Sequence, residues 1–163
     1  MAFETLLQLP AAWTCVYQRF ALHLFEGQVS VAEMDRMHAV GERWNARHPE
    51  KRVELAVIFP SEARMSQEER AAMARLMKLG QAFRAASATV VLAGGLRGSM
   101  HRSILTGLMM LAPPPHPSKV FGDVAEAVTW LDPHLQALDA TQPRAEELVR
   151  AVDAHIALFR ARA

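Results

Sequence analysis

Apolar and polar positions follow two rhythms along this chain, one suited to buried strands and one to amphipathic helices. The clearest strand is Val53–Pro60 (VELAVIFP), a mostly apolar run with two valines and an isoleucine. It is too short for a helix and is bounded by Arg52 and Pro60, so it reads as a buried central strand. Ala88–Ala93 (ATVVLA) reads the same way, stopped by Gly94-Gly95. Trp13–Gln18 and Phe20–Phe25 are rich in aromatic and large apolar residues. With only Arg19 between them, they are two short strands or one long bent strand. Lys119–Phe121 adds a short edge strand.

Helical spacing fills the intervals. Ser30-Val31-Ala32-Glu33 and Ser66-Gln67-Glu68-Glu69 have the spacing of capping boxes, in which a serine hydroxyl and a glutamate three residues on satisfy each other's free amides. The first opens a helix to about Asn45 with Met34, Met37, Val40, Gly41 and Trp44 on one stripe. The second opens a helix with Met73, Leu76, Met77, Gly80 and Phe83 as its stripe. Ser99 is the expected N-cap of a third helix, Met100–Leu111, whose inner face is Ile104, Leu105, Leu108 and Leu111 and which ends before Pro113-Pro114-Pro115. Asp123 caps a fourth, with Val124, Ala127, Val128 and Leu131 inward and Trp130 beside them, interrupted at Pro133. A fifth runs from Pro143 to about Arg160 and presents Leu148, Val149, Val152, Ile156 and Phe159. It packs back on the domain or serves as the contact of a homodimer.

The order β-β-α-β-α-β-α-β-α-α predicts an α/β fold, with a mostly parallel sheet of four to five strands, four to five helices, and the hairpin at or near one edge. Residues 1–12 read as a lead-in, 13–138 as the α/β domain and 139–163 as a C-terminal helical segment.

Composition changes this picture little. The chain has 163 residues, enough for one domain with a real core, and its 51% hydrophobic and 21% charged residues are ordinary globular usage. Its net charge of +1 gives no global field for nucleic acid or an anionic membrane. Arg43, Arg47, Lys51 and Arg52 gather near the end of the first helix without interleaved aromatics, as at an ordinary solvated helix terminus. The most apolar stretch, Ile104–Pro115, falls short of the ~20 residues of a membrane span. Without a basic, apolar leader at residues 1–12, the cytoplasm is the expected location. Cys15 is the single cysteine and reads as an apolar filler in a strand. The seven histidines show no His-x-x-x-His pair and read as surface or cap residues, and no cofactor or metal is expected.

Two stretches carry candidate chemistry, both at carboxyl ends of strands, where open α/β sheets place their sites. Gly94–Arg102 leaves a buried strand for a helix start, so Gly95, Arg97, Gly98, Ser99, His101 and Arg102 are candidates for an anion or ligand site. Its spacing is neither Gly-x-Gly-x-x-Gly nor a phosphate-binding lysine loop. The other is the turn from Ser61 to Glu69. A nucleophile elbow is absent, so an enzyme is not expected.

Three segments resemble the STAS domain of anti-sigma-factor antagonists and related proteins. Leu22–Met37 (LHLFEGQVSVAEMDRM) is similar to the family's second strand, glycine and first helix. Ile58–Arg70 (IFPSEARMSQEER) occupies the position of the strand, loop and helix start that hold its phosphorylatable serine. Lys119–Leu131 (KVFGDVAEAVTWL) is similar to the family's closing strand and helix. The resemblance covers about Trp13–Leu138. It implies a non-enzymatic regulatory module whose partner is another protein, met at Ser61, Glu62, Arg64 and Ser66. Ser66 falls at the place of the regulatory serine, although Met65-Ser66-Gln67-Glu68 stands where the family has Asp-Ser-Ser/Thr-Gly. Related domains that bind lipids or nucleotides in a cleft make a small-ligand carrier the alternative.

Overall fold

The computed structural model describes residues 2–60, 65–93, 95–111 and 113–162. Six strands form one sheet in simple chain order: β1 (Glu4–Gln8), β2 (Ala12–Tyr17), β3 (Phe20–Glu26), β4 (Arg52–Phe59), β5 (Arg84–Val91) and β6 (Ser118–Phe121). The ladders β1–β2 and β2–β3 are antiparallel, and β3–β4, β4–β5 and β5–β6 are parallel. The sheet is therefore mixed and has more strands than expected. The extra strand, β1, lies within the residues read as a lead-in. Glu4–Gln8 shows neither alternation nor a buried run, and it becomes a strand because β2 offers it a free edge. Two strands, and not one bent strand, follow Trp13, because Gln18 takes a left-handed φ of 49° and turns the chain at Arg19.

The helices are α1 (Val31–Arg47), α2 (Gln67–Lys78), α3 (Gly95–Leu111), α4 (Val124–Leu138) and α5 (Ala145–Arg160). Both capping boxes form, with Ser30 and Ser66 each accepting from the amide of the glutamate three residues on; Asp123 likewise caps α4 by accepting from Glu126. Pro133 does not interrupt α4, which runs through it to Leu138. The proline is on the exposed side, so the carbonyl it leaves without an amide partner is open to water.

Side chains alternate between the two faces of the sheet, and so do its covers. On one face Phe20, Leu22, Leu24, Val53, Leu55, Val57, Ala88 and Val90 pack against α4 and α5, through Ala127, Val128, Leu131, Leu135, Leu148, Val152 and Phe159. The last helix thus packs back on its own domain. Cys15 is buried in this layer, and burial pushes its thiol up to about 11, as befits a filler. On the other face α1 and α2 pack on each other through a smaller cluster that includes Met34, Met37 and Ala72. Met77 and Ile104, expected inside, are instead exposed, because their helices turn that side away from the sheet. The side chains of Leu108 and Leu111 lie outside the described residues.

Candidate functional site

The carboxyl ends of β4 and β5 are neighbours, with Ile58 opposite Val91, and the chain leaves this rim for α2 after β4 and for α3 after β5. At that rim Ser66 is exposed. Its Oγ accepts from the Glu69 amide at 3.1 Å, and its own amide donates to Glu69 Oε2 at 2.6 Å. Gln28, in the loop before α1, also donates to Glu69, and these bonds hold the Glu69 carboxyl below the usual carboxylate range. Ser61, Glu62 and Arg64 lie outside the described residues, as does the side chain of Arg97.

The glycine-rich stretch is not the loop expected. α3 already begins at Gly95, so Gly98, Ser99, His101 and Arg102 belong to its first two turns, and Ser99 is not its N-cap. Ser99 Oγ donates to the Gly95 carbonyl at 3.4 Å, and Arg102 Nη2 donates to Ser99 Oγ at 3.1 Å. Glycine lowers helix propensity, and that signal suggested a loop here. Its use is a close backbone approach instead: a Cβ on Gly98 would stand 1.9 Å from the Ala93 carbonyl oxygen. The Arg102 guanidinium lies over Gly122, joining the start of α3 to the turn before α4. Along its outer side α3 leaves Met100, Ile104 and Met110 at 55%, 54% and 79% exposure.

A second polar constellation, not expected from the sequence, lies under α1 and α2. Glu54, 6% exposed in β4, accepts from Arg52 Nε at 3.1 Å and from Arg84 Nε. Arg52 is no solvated helix-end residue. It too is 6% exposed, it donates through Nη2 to Asn45 Oδ1 at 2.6 Å, and its guanidinium lies 4.5 Å over Trp44. Arg84 donates to the carbonyls of Met77 and Leu79 at the end of α2. Gly80, with a φ of 76°, brings the backbone so near that a Cβ there would stand 3.2 Å from Arg52 Nη2. Burial raises the Glu54 pKa, but Arg84, His23 and Arg52 outweigh it and hold the carboxyl below its usual range.

His23 extends this line, with Nδ1 3.1 Å from Thr14 Oγ1 and Nε2 3.9 Å from Glu54. Burial outweighs Glu54 and pushes the imidazole down. His116 makes a similar bond, with Nε2 3.0 Å from Ser87 Oγ, which also meets Ser118 Oγ at 2.8 Å. Neither histidine is the surface or cap residue expected. One signal was available: Arg52, Glu54 and His23 interrupt strands at positions that alternate with the apolar core residues. Among the described residues no group of three or more His, Cys, Asp or Glu converges as a metal ion would require. No helix among them is long and apolar enough to cross a membrane.

Comparison with family models, curated proteins and solved structures finds no match for this chain.

Proposed function

We propose that the chain is a STAS-like, non-enzymatic regulatory module of the cytoplasm. It binds another protein through the carboxyl-end rim of residues 61–69 and 95–102 and the adjoining outer side of α3. The observation that carries this reading is the exposure of Met100, Ile104 and Met110 on a helix that starts at that rim. Large apolar side chains gain by leaving water, and methionine adapts to irregular partner surfaces. The resemblance implies two strands and then helix–strand repeats; the parallel strands β3 to β6 in chain order support that reading, and β1 adds a strand ahead of it. Ser66 is exposed at the start of α2, although a phosphate on it would meet the Glu69 carboxylate.

Affinity capture from cells that make the protein, followed by binding measurements with the purified partner, tests the reading. A single stoichiometric protein is expected on the wild type, with Ile104→Glu weakening it by about 2 kcal/mol, a thirtyfold effect. The substitution is at an exposed position and shifts the unfolding midpoint little. A captured protein that binds Ile104→Glu and Ser66→Asp as well as the wild type would remove the rim and α3 from the interface.

A further inference from the structure

The sheet has two edges, β1 and β6, each paired on one side only. β1 is broken by a register shift between Thr5 and Leu7, an irregularity that blunts an edge against further strands. β6 pairs with β5 in unbroken register. Its phase follows from one bond, in which the Ser87 amide donates to the Pro117 carbonyl at 2.9 Å. Successive residues of a strand turn their backbone groups to opposite sides. Pro117, Lys119 and Phe121 therefore address β5, while Ser118 and Val120 turn N–H and C=O to the open edge.

The side chains of Ser118 and Val120 are on the α3 side of the sheet, since they stand opposite Ser87 and Thr89, and the intervening Ala88 and Val90 face α4 and α5. Between these two residues and the second half of α3 runs a groove of about 470 Å³. Met109, Met110, Pro113, Pro114 and Val120 make it largely apolar, and Met110 is 79% exposed. Edge amides beside an apolar groove suit an extended segment that adds as a further strand: backbone bonds hold it, and alternate side chains enter the groove. A helix or a small apolar molecule would leave the edge amides unmet. On the other face of β6, Lys119 is exposed, with Nζ 5.0 Å from the Phe121 ring, and among the described residues no carboxylate pairs with it. A segment laid along β6 thus meets an uncompensated cation on that face.

We propose that an extended segment of another protein adds to β6 as a seventh strand. It carries apolar side chains at alternate positions, seated between Val120 and Met109–Met110, and an acidic residue between them, across from Lys119. Met110 also belongs to the surface of the preceding reading, but neither Ser66 nor the rim takes part, so each can fail without the other.

Octapeptides selected from a random phage-displayed library on the purified full chain, then synthesised and titrated by NMR, are the test. Selected sequences should alternate apolar residues with an acidic one between them. Binding should slow hydrogen exchange of the Ser118 and Val120 amides about tenfold and leave the Lys119 amide, already paired with β5, unchanged. N-methylating the peptide at alternate residues should abolish binding in one phase and preserve it in the other. Val120→Pro removes an edge N–H where a strand tolerates proline, and should weaken binding about tenfold. Met110→Glu, at an exposed position, should do the same with the fold intact. Ile104→Glu, outside the groove, should leave peptide affinity unchanged, so that failure of the earlier reading and of this one are read separately. If Val120→Pro unfolds the chain, the N-methyl contrast decides. No peptide that binds to saturation, equal loss in both N-methyl phases, or unchanged exchange at Ser118 and Val120 would overturn the proposal. So would self-association of the chain that Val120→Pro abolishes, which would give the edge to a second copy.

Discussion

The sheet's two faces are made by the same strands and held in different ways. Under α4 and α5, β3 and β4 present Phe20, Leu22, Leu24, Val53, Leu55 and Val57, all fully buried. Under α1 and α2, the alternate positions of those strands present His23, Arg52 and Glu54, tied to one another and to Asn45 and Arg84. The apolar layer is stabilised by area removed from water, which is large but tolerant of rearrangement. The charged layer adds little net stability once desolvation is counted, yet it is intolerant of loss. It also fixes register. A one-residue slip of β4 would put Glu54 into the leucine layer and Leu55 among the arginines.

That contrast can be broken by experiment. The largest effect is expected from Glu54→Ala, which leaves Arg52 and Arg84 facing each other without their counter-ion and should cost about 4 kcal/mol in denaturant unfolding. Leu131→Ala, in the apolar layer, should cost about 3 kcal/mol, because the layer relaxes partly around the cavity. If Glu54→Ala proves the milder of the two, the charged layer is not what fixes this face.

The smallest effect lies in the pH dependence. His23 is held neutral in the fold, with its pKa below the ordinary 6.5. The unfolded chain therefore binds its proton first, and stability falls as pH drops from about 6.5 through the folded value. Glu54 acts in a lower window: its folded pKa is below the ordinary 4.5, so its contribution is present above that value and lost as pH falls through the folded one. His23→Gln should flatten the upper part of the stability–pH curve measured by urea unfolding and leave the lower part standing. The residual upper slope should come from His116, whose pKa is pushed down by its own burial and by Arg84. An unchanged upper slope would show that His23 is not the group being titrated.

The sequence by itself determined the elements whose causes are local. Ser30, Ser66 and Asp123 cap helices because each hydroxyl or carboxylate needs only the amide three residues ahead. The runs around Val53 and Val90 become central strands because nothing but burial suits them. Tertiary structure alone decided the features whose partners are distant in the chain. β1 is a strand only because β2 lies beside it, and Gly98 is helical because the chain must pass the Ala93 carbonyl. Ile104 and Met77 are outward because of how α3 and α2 sit on the sheet. The Arg52–Glu54–Arg84 cluster joins two strands at an energy set by burial. Periodicity records which side of an element is apolar; it carries no record of what charged atom, thirty or more positions away, will be buried against it.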